Sequence, residues 1–241
     1  MSRFFDNASS QYLRNTSFSS ISGAPVTLAC WVYCDEDGTN FQTGLAVGGF
    51  SASDYYALEL MMDVANNPLR AYGRSTASNV YASADGLVAN QWCHVAGVYE
   101  SDSSRYAYVD GTPGAQNTTA ATPGAPDEIR IGSIPDSSFY MSGGVAECGV
   151  WDVALTAPEI SSLAAGFSPL FIRPQNLVFY APLYSSEDFD RVNGYALTPI
   201  NAPTTMEHPL VFNPTSYNLF WGSAVAGGIS IPIVWHHLER Q

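Results

Sequence analysis

A chain of 241 residues can bury a full core in one large domain, or in one domain with an appendage. Its 22 acidic residues face 9 basic ones, all of them arginine, for a net charge of -13; so little positive charge excludes the basic stripe that nucleic acid needs and disfavours anionic membrane surfaces. The 46% hydrophobic content, with 20 Gly and 15 Pro, is the profile of many short strands joined by turns.

Residues 1–13 hold no apolar run of signal-peptide length, so export is not expected. Ser2 to Asp6 and Gln11 to Arg14 read as short strands around a turn. Val26, Leu28, Cys30 and Val32 alternate with Thr27, Ala29, Trp31 and Tyr33, the pattern of a central strand. Thr43 to Val47 and Tyr55 to Met62 come next, the latter with Tyr56, Leu58, Leu60 and Met62 on one side. Pro68 to Ser75 with Asn79 to Ala82 fits a hairpin. Trp92 to Tyr99 pairs with Arg105 to Val109, ahead of the tight-turn dipeptide Asp110-Gly111. Residues 112–127 read as a loop, then Glu128 to Gly132 and Phe139 to Ser142 as short strands.

Between Gly143 and Gly166 the period changes. Val145 to Trp151 suits a strand, after which Thr156 and Glu159 form a capping box with Pro158 in the first turn. Ile160, Leu163 and Ala164 make one apolar stripe on a short helix, and Gly166 stands where a left-handed cap is needed. Asn176 to Leu183 is a further strand, with Leu177, Phe179, Ala181 and Leu183 on one side. The acidic patch Glu187, Asp188 and Asp190 reads as a solvated turn. About a dozen strands with one helix cannot make a parallel α/β sheet, so an all-β, two-sheet antiparallel jelly-roll sandwich is expected over residues 1–212.

Cys30, Cys34, Cys93 and Cys148 lie in or beside strands without metal-ligand spacing and read as buried free thiols. His94, between Cys93 and Val95, reads as a packed, hydrogen-bonded core histidine, and His236-His237 would point to opposite faces if extended. From 213 to 241 the chain is too apolar for a solvated tail. Tyr217, Phe220, Trp221, Ile231, Ile233 and Trp235 are read as an arm that binds a partner, for example by adding a strand to a neighbour's sheet edge.

The order of several motifs resembles the laminin-G-like, concanavalin A-like lectin superfamily: Phe5-Asp6 with Tyr12-Leu13, Val26 to Tyr33, Trp92 with His94-Val95-Ala96, Tyr108 to Gly111, Ile131-Gly132, Gly144 to Trp151, Ala154-Leu155-Thr156 and Glu159-Ile160. The match covers residues 3–165 and implies two packed antiparallel sheets with the helix against one end. Ser168-Pro169-Leu170, Arg173-Pro174, Leu177 to Leu183 and His208-Pro209 resemble the continuation, here 166–212, that stand-alone copies carry in structural proteins of tailed bacteriophages. That second resemblance implies a non-enzymatic virion protein, a capsid decoration or cement protein or a tail-associated one, made in the host cytoplasm. Its partners would be other virion proteins, the major capsid protein or tail subunits, and further copies of itself.

The alternative is a carbohydrate-binding module or adhesin. The glucanase run of Glu-x-Asp-x-Glu is missing, so an enzyme is not expected. Calcium, which many such domains bind at the rim, has Asp35, Asp37 and Asp110 as turn carboxylates to draw on, but no cofactor is required. For a sugar, Tyr55, Tyr72, Tyr81, Phe139 and Tyr140 are the available aromatics. The residues alone do not choose among them, and filling the sandwich is the competing use.

Overall fold

In the computed structural model, residues 1–35, 41–49, 54–62, 64–76, 78–135, 138–185 and 187–212 are described. The chain runs β1 (Ser2–Phe5), β2 (Tyr12–Asn15), β3 (Val26–Cys34), β4 (Gln42–Gly49), β5 (Asp54–Leu60), β6 (Leu69–Ser75) and β7 (Ser78–Ala84). It continues as β8 (Trp92–Ser101), β9 (Ser104–Val109), β10 (Thr112–Pro113), β11 (Glu128–Ile131), β12 (Gly143–Trp151), α1 (Ala157–Ala164), a 3-10 turn at Pro169–Phe171, β13 (Leu177–Ala181), β14 (Thr198–Ile200) and β15 (Thr204–Met206).

These strands form two antiparallel sheets, a jelly-roll sandwich with one short α-helix. The first is ordered β10-β9-β8-β3-β12-β1-β15, with β13 also on β12; the second is ordered β14-β2-β11-β4-β5-β6-β7. β1 takes the first half of β12 (Arg3 opposite Val145) and β13 the second (Val150 opposite Phe179). Between the sheets lie the residues that alternation assigns to inner faces: Val26, Leu28, Cys30 and Val32 from β3, Tyr56, Leu58 and Leu60 from β5 with Met62 beyond it, and Val95 from β8. All four cysteines are buried free thiols.

The helix packs on the outer face of the first sheet rather than at an end of the sandwich: Ile160 and Leu163 join Ala29, Ala96, Tyr108, Trp151 and Tyr180 in one cluster. The Glu159 carboxylate accepts the Thr156 N–H at 2.7 Å and hydroxyl at 2.8 Å, completing the capping box. Gly166 has φ +90°, and a Cβ there would lie 3.0 Å from the Leu210 carbonyl oxygen, so glycine is needed both for the turn and for the close pass of the C-terminal segment. Thr27 fixes the helix approach, donating to Val153 O (2.8 Å) and accepting from Leu155 N (2.9 Å).

Three further expectations are corrected. Phe139 to Ser142 is not a strand, because Phe139 turns to φ +52° and the segment is held by Met141 N–H to Gly132 O and Ser142 N–H to Gln42 Oε1 instead of a ladder. Leu177 leaves the face of Phe179 and Ala181, since a register shift at Val150/Trp151 turns it to the outer cluster. The acidic patch is a solvated turn only at Glu187, whose side chain is half exposed and pairs with Arg191. Asp188 pairs with Arg3, and Asp190, 1% exposed, accepts the N–H groups of Tyr180 (2.7 Å), Val192 (3.0 Å) and Asn193 (2.7 Å). Asp188 fastens the continuation to β1, and Asp190 folds the turn after β13 back onto that strand.

Candidate functional site

The second sheet turns Tyr56, Leu58 and Leu60 inward, so Tyr55, Ala57 and Glu59 face out. Register then dictates their neighbours. Ala57 stands opposite Ala46 and Tyr72, Tyr72 opposite Tyr81, and Glu59 opposite Arg70. On the far side, Arg130 stands opposite Ala46 and Arg14. The outer face is therefore a floor of two alanines between an aromatic side and an arginine side.

Ile134, from the loop after β11, packs on Ala46, Ala57 and Tyr55 and closes the middle of this floor. Beneath the loop, Glu128 and Arg130 form an ion pair of 2.8 Å with both side chains fully buried, and Arg130 also donates to Ile134 O at 3.1 Å. Burial pushes the Glu128 carboxyl up against the opposing pull of Arg130. Arg130 lies 4.9 Å from the centre of the Tyr12 ring, and Tyr12 packs with Tyr140 at 6.0 Å.

What remains open is the β6–β7 edge. Tyr55, Tyr72 and Tyr81 form a stacked row, with centroids 5.8 Å and 6.3 Å apart and planes within 26° and 13° of each other. Exposure rises along the row, from 1% at Tyr55 to 39% at Tyr81. Burial raises the hydroxyl pKa values of Tyr55 and Tyr72, so both stay neutral donors at physiological pH. The Arg70 guanidinium sits 4.1 Å from the Tyr81 ring centre and 5.8 Å from that of Phe41. Phe41 in turn stacks on Phe139 at 5.2 Å, both partly exposed. Chemically, the edge offers flat apolar surface beside a cation, as required by a ligand with both an apolar face and polar substituents.

None of the five aromatics considered for sugar binding fills the space between the sheets. Tyr55, Tyr72 and Tyr81 are brought together, Phe139 joins Phe41, and Tyr140 goes to Tyr12 on the arginine side. The sequence reading missed Arg70 and Phe41. The available signal was in residues 69–75, where Arg70, Tyr72 and Arg74 alternate with Leu69, Ala71 and Gly73 and so share one face.

Two of the three calcium candidates, Asp35 and Asp110, lie among the described residues. The Asp110 carboxylate accepts the His94 N–H at 2.7 Å in a tight turn with Gly111, both at positive φ. Asp35 comes directly after β3, and Asp37 lies outside the described residues. Among the described residues no group of three or more His, Cys, Asp or Glu side chains could hold a metal ion. The arm residues Tyr217, Phe220, Trp221, Ile231, Ile233 and Trp235, and His236-His237, also lie outside the described residues. His94 is packed as expected, edge-on to Trp31 at 5.5 Å, but among the described residues its Nδ1 has no hydrogen-bond partner, and burial lowers its pKa to about 3.

A second polar cluster lies on the first sheet. A bulge in β12 puts Glu147 at φ +54° and turns it outward, where its Oε2 accepts the Tyr180 hydroxyl at 2.7 Å and its Oε1 lies 3.4 Å from His208 Nε2. Burial raises the Glu147 pKa to about 7 and lowers that of His208. Glu147 is only 2% exposed, so this cluster cannot meet a substrate; it ties the segment after β15 to the sheet. Glu59 and Glu128, the outer-face carboxylates of the second sheet, are two strands apart and four residues out of step, roughly 16 Å between Cα atoms from ordinary strand spacings.

Comparison with known proteins agrees with the two-sheet fold. The profile of the laminin-G-type family described as the concanavalin A-like lectin/glucanases superfamily matches residues 6–161. Among curated proteins no relative matches. Of solved structures, a putative carbohydrate binding protein from Bacteroides ovatus shares the fold at TM-score 0.58 and 18% identity, over 86% of this chain and 61% of that one. The heptameric SAP-like pentraxin of Limulus polyphemus gives TM-score 0.52 and 19% identity, over 68% and 79%. Tailspike protein 2 of the Escherichia coli O157:H7 bacteriophage CAB120 gives 0.53 and 15%, over 71% of this chain and 25% of the tailspike. At such identities the likeness is one of fold.

Proposed function

The chain belongs to the concanavalin A-like lectin/glucanases superfamily, and we propose that within it this protein is a non-catalytic binding module whose ligand is a glycan, taken at the β6–β7 edge of the second sheet. The observation that carries the reading is the stacked row ending in the exposed Tyr81 ring beside Arg70. Sugar rings present an apolar face that packs on aromatic surface, while their hydroxyls need fixed polar partners. A non-catalytic role accords with the burial of Glu59 and Glu128, 2% and 0% exposed, since paired glycosidase carboxylates must reach the scissile bond. A glycan array probed with the full chain, with and without Tyr81→Ala, tests it. Binding should fall about tenfold or more in the variant with the melting temperature unchanged; a blank array, or binding indifferent to Tyr81, would overturn it.

A second reading concerns where the module is mounted. Phe167, Phe171 and Phe212 are all more than 40% exposed, and Phe167 packs with both of the others, 6.4 Å from Phe171 and 6.0 Å from Phe212. This apolar corner is pinned by hydrogen bonds between Gly166 and Phe212 and between Ser168 and Phe212, immediately before the arm begins. Exposed apolar surface continuous with an apolar tail is what an attachment point needs. It supports the virion reading: a decoration, cement or tail-associated subunit of a bacteriophage-like particle, assembled in the host cytoplasm and seated on capsid or tail proteins. Full-length protein, a chain lacking 213–241 and a Phe167→Ser/Phe171→Ser double variant would be mixed with particles lacking the protein. Both altered forms should lose co-sedimentation; if both still bound, attachment would have to run through another surface.

A further inference from the structure

The arginines of this acidic chain are unevenly placed. Arg3, Arg130, Arg173 and Arg191 each hold a carboxylate, the default for a protein with more than twice as many acidic as basic residues. Arg70 does not. Among the described residues its guanidinium makes no ion pair, although Glu59 stands opposite it in the register; its neighbours are the Tyr81 and Phe41 rings. Arg74, four residues further along the same face of β6, lies 5.7 Å from the Tyr55 ring centre, so a chain of net charge -13 sets two guanidinium groups against its one stacked tyrosine row.

Stacking against rings orients a guanidinium while leaving its N–H edge able to donate. The planar fork of donors matches two oxygens of one carboxylate or sulfate group better than it matches scattered hydroxyls. The field of the acidic remainder of the molecule would repel an anion, which makes a guanidinium not held by a carboxylate among the described residues, as at Arg70, the feature that decides where one docks. We propose that the site at Arg70 and Tyr81 selects an acidic saccharide, one whose ring packs on Tyr81 and Phe41 and whose carboxylate or sulfate is held by Arg70. This specificity rests on the glycan-binding reading above.

Isothermal titration of the full chain with matched oligosaccharides tests it: a uronic-acid or sialic-acid oligosaccharide, its sulfated counterpart, and the neutral backbone of each. At least one acidic series should bind about tenfold or more tighter than its neutral backbone, and which one binds identifies carboxylate or sulfate as the anion. Arg70→Gln should erase that preference while leaving residual neutral binding, Arg70→Lys should restore only part of it, and Tyr81→Ala should weaken acidic and neutral sugars alike. Raising the salt concentration should weaken the acidic series alone. Equal affinity for acidic and neutral sugars, or a preference untouched in Arg70→Gln, would overturn the acidic specificity while leaving glycan binding standing. No binding to any sugar would overturn both readings.

Discussion

The buried Glu147 gives the protein a stability that depends on pH in a direction opposite to most carboxylates. Its folded pKa of about 7 lies above the ordinary 4.5, with burial as the main cause. The folded state therefore holds a proton that the unfolded state releases. Stability from this group is complete below about pH 4.5 and is lost as the pH rises toward 7, at about 1.4 kcal/mol per pH unit, or about 3 kcal/mol in all. His208, whose pKa is lowered by burial, acts the other way, costing stability as the pH falls below its ordinary range. Comparison with Glu147→Gln isolates the carboxylate, because glutamine keeps an oxygen to accept the Tyr180 hydroxyl and leaves His208 in place. Urea unfolding followed by tryptophan fluorescence at pH 5, 6, 7 and 8 should show the two proteins nearly equal at pH 5 and the variant more stable by about 2–3 kcal/mol at pH 8. Parallel stability curves across that range would refute the assignment of a protonated Glu147 to the native state.

Two structural substitutions probe how the continuation and the helix are fastened. Asp190→Asn cannot accept all three N–H groups now held by the carboxylate and should lower stability by about 2–4 kcal/mol; a shift in urea midpoint worth less than about 0.5 kcal/mol would mean the turn is solvated after all. Thr27→Val removes both hydrogen bonds of a fully buried hydroxyl and strands the Val153 carbonyl and Leu155 N–H, with an expected loss of about 2–3 kcal/mol. Amide exchange should show the loss accompanied by faster exchange in α1, and unchanged protection there would locate the effect elsewhere.

Legibility in the sequence tracked the number of faces an element buries. β3, β5 and β8 are read correctly because one face of each is uniformly apolar and period 2 leaves no other assignment. Alternation does not supply a covering for the opposite face. Tyr55, Tyr72 and Tyr81 occupy outer positions that the pattern already implied, yet only the register of β5, β6 and β7 turns three separated tyrosines into one row. Phe139 looked like strand because it is aromatic, but it serves the outer surface by stacking on Phe41. The acidic turn misled for a related reason: the partners of Asp188 and Asp190 are Arg3 and backbone N–H groups of Tyr180, Val192 and Asn193, and nothing local in the sequence reveals a partner 185 positions away.

The family profile ends at residue 161, yet the strands that close the sandwich come later. β14 and β15 are the terminal strands of the two sheets on one side, lying against β2 and β1, and β13 fills the second half of β12. Without them β1 and β2 would present open edges, ready to pair with another chain. The continuation thus closes edges by adding strands, locks them with Arg3–Asp188 and with the Glu147–Tyr180–His208 cluster, and delivers the chain to the exposed phenylalanine corner at 212. The Tyr81 edge, by contrast, stays outside that closure: beyond its ladder with β6, β7 is met by the Ser83–Ala115 bridge and by Ser78 Oγ donating to Ala120 O. The proposed ligand site and the proposed attachment corner are therefore built by different parts of the chain, the first by strands inside the family profile and the second by residues 166–212, so substitutions can test each one separately.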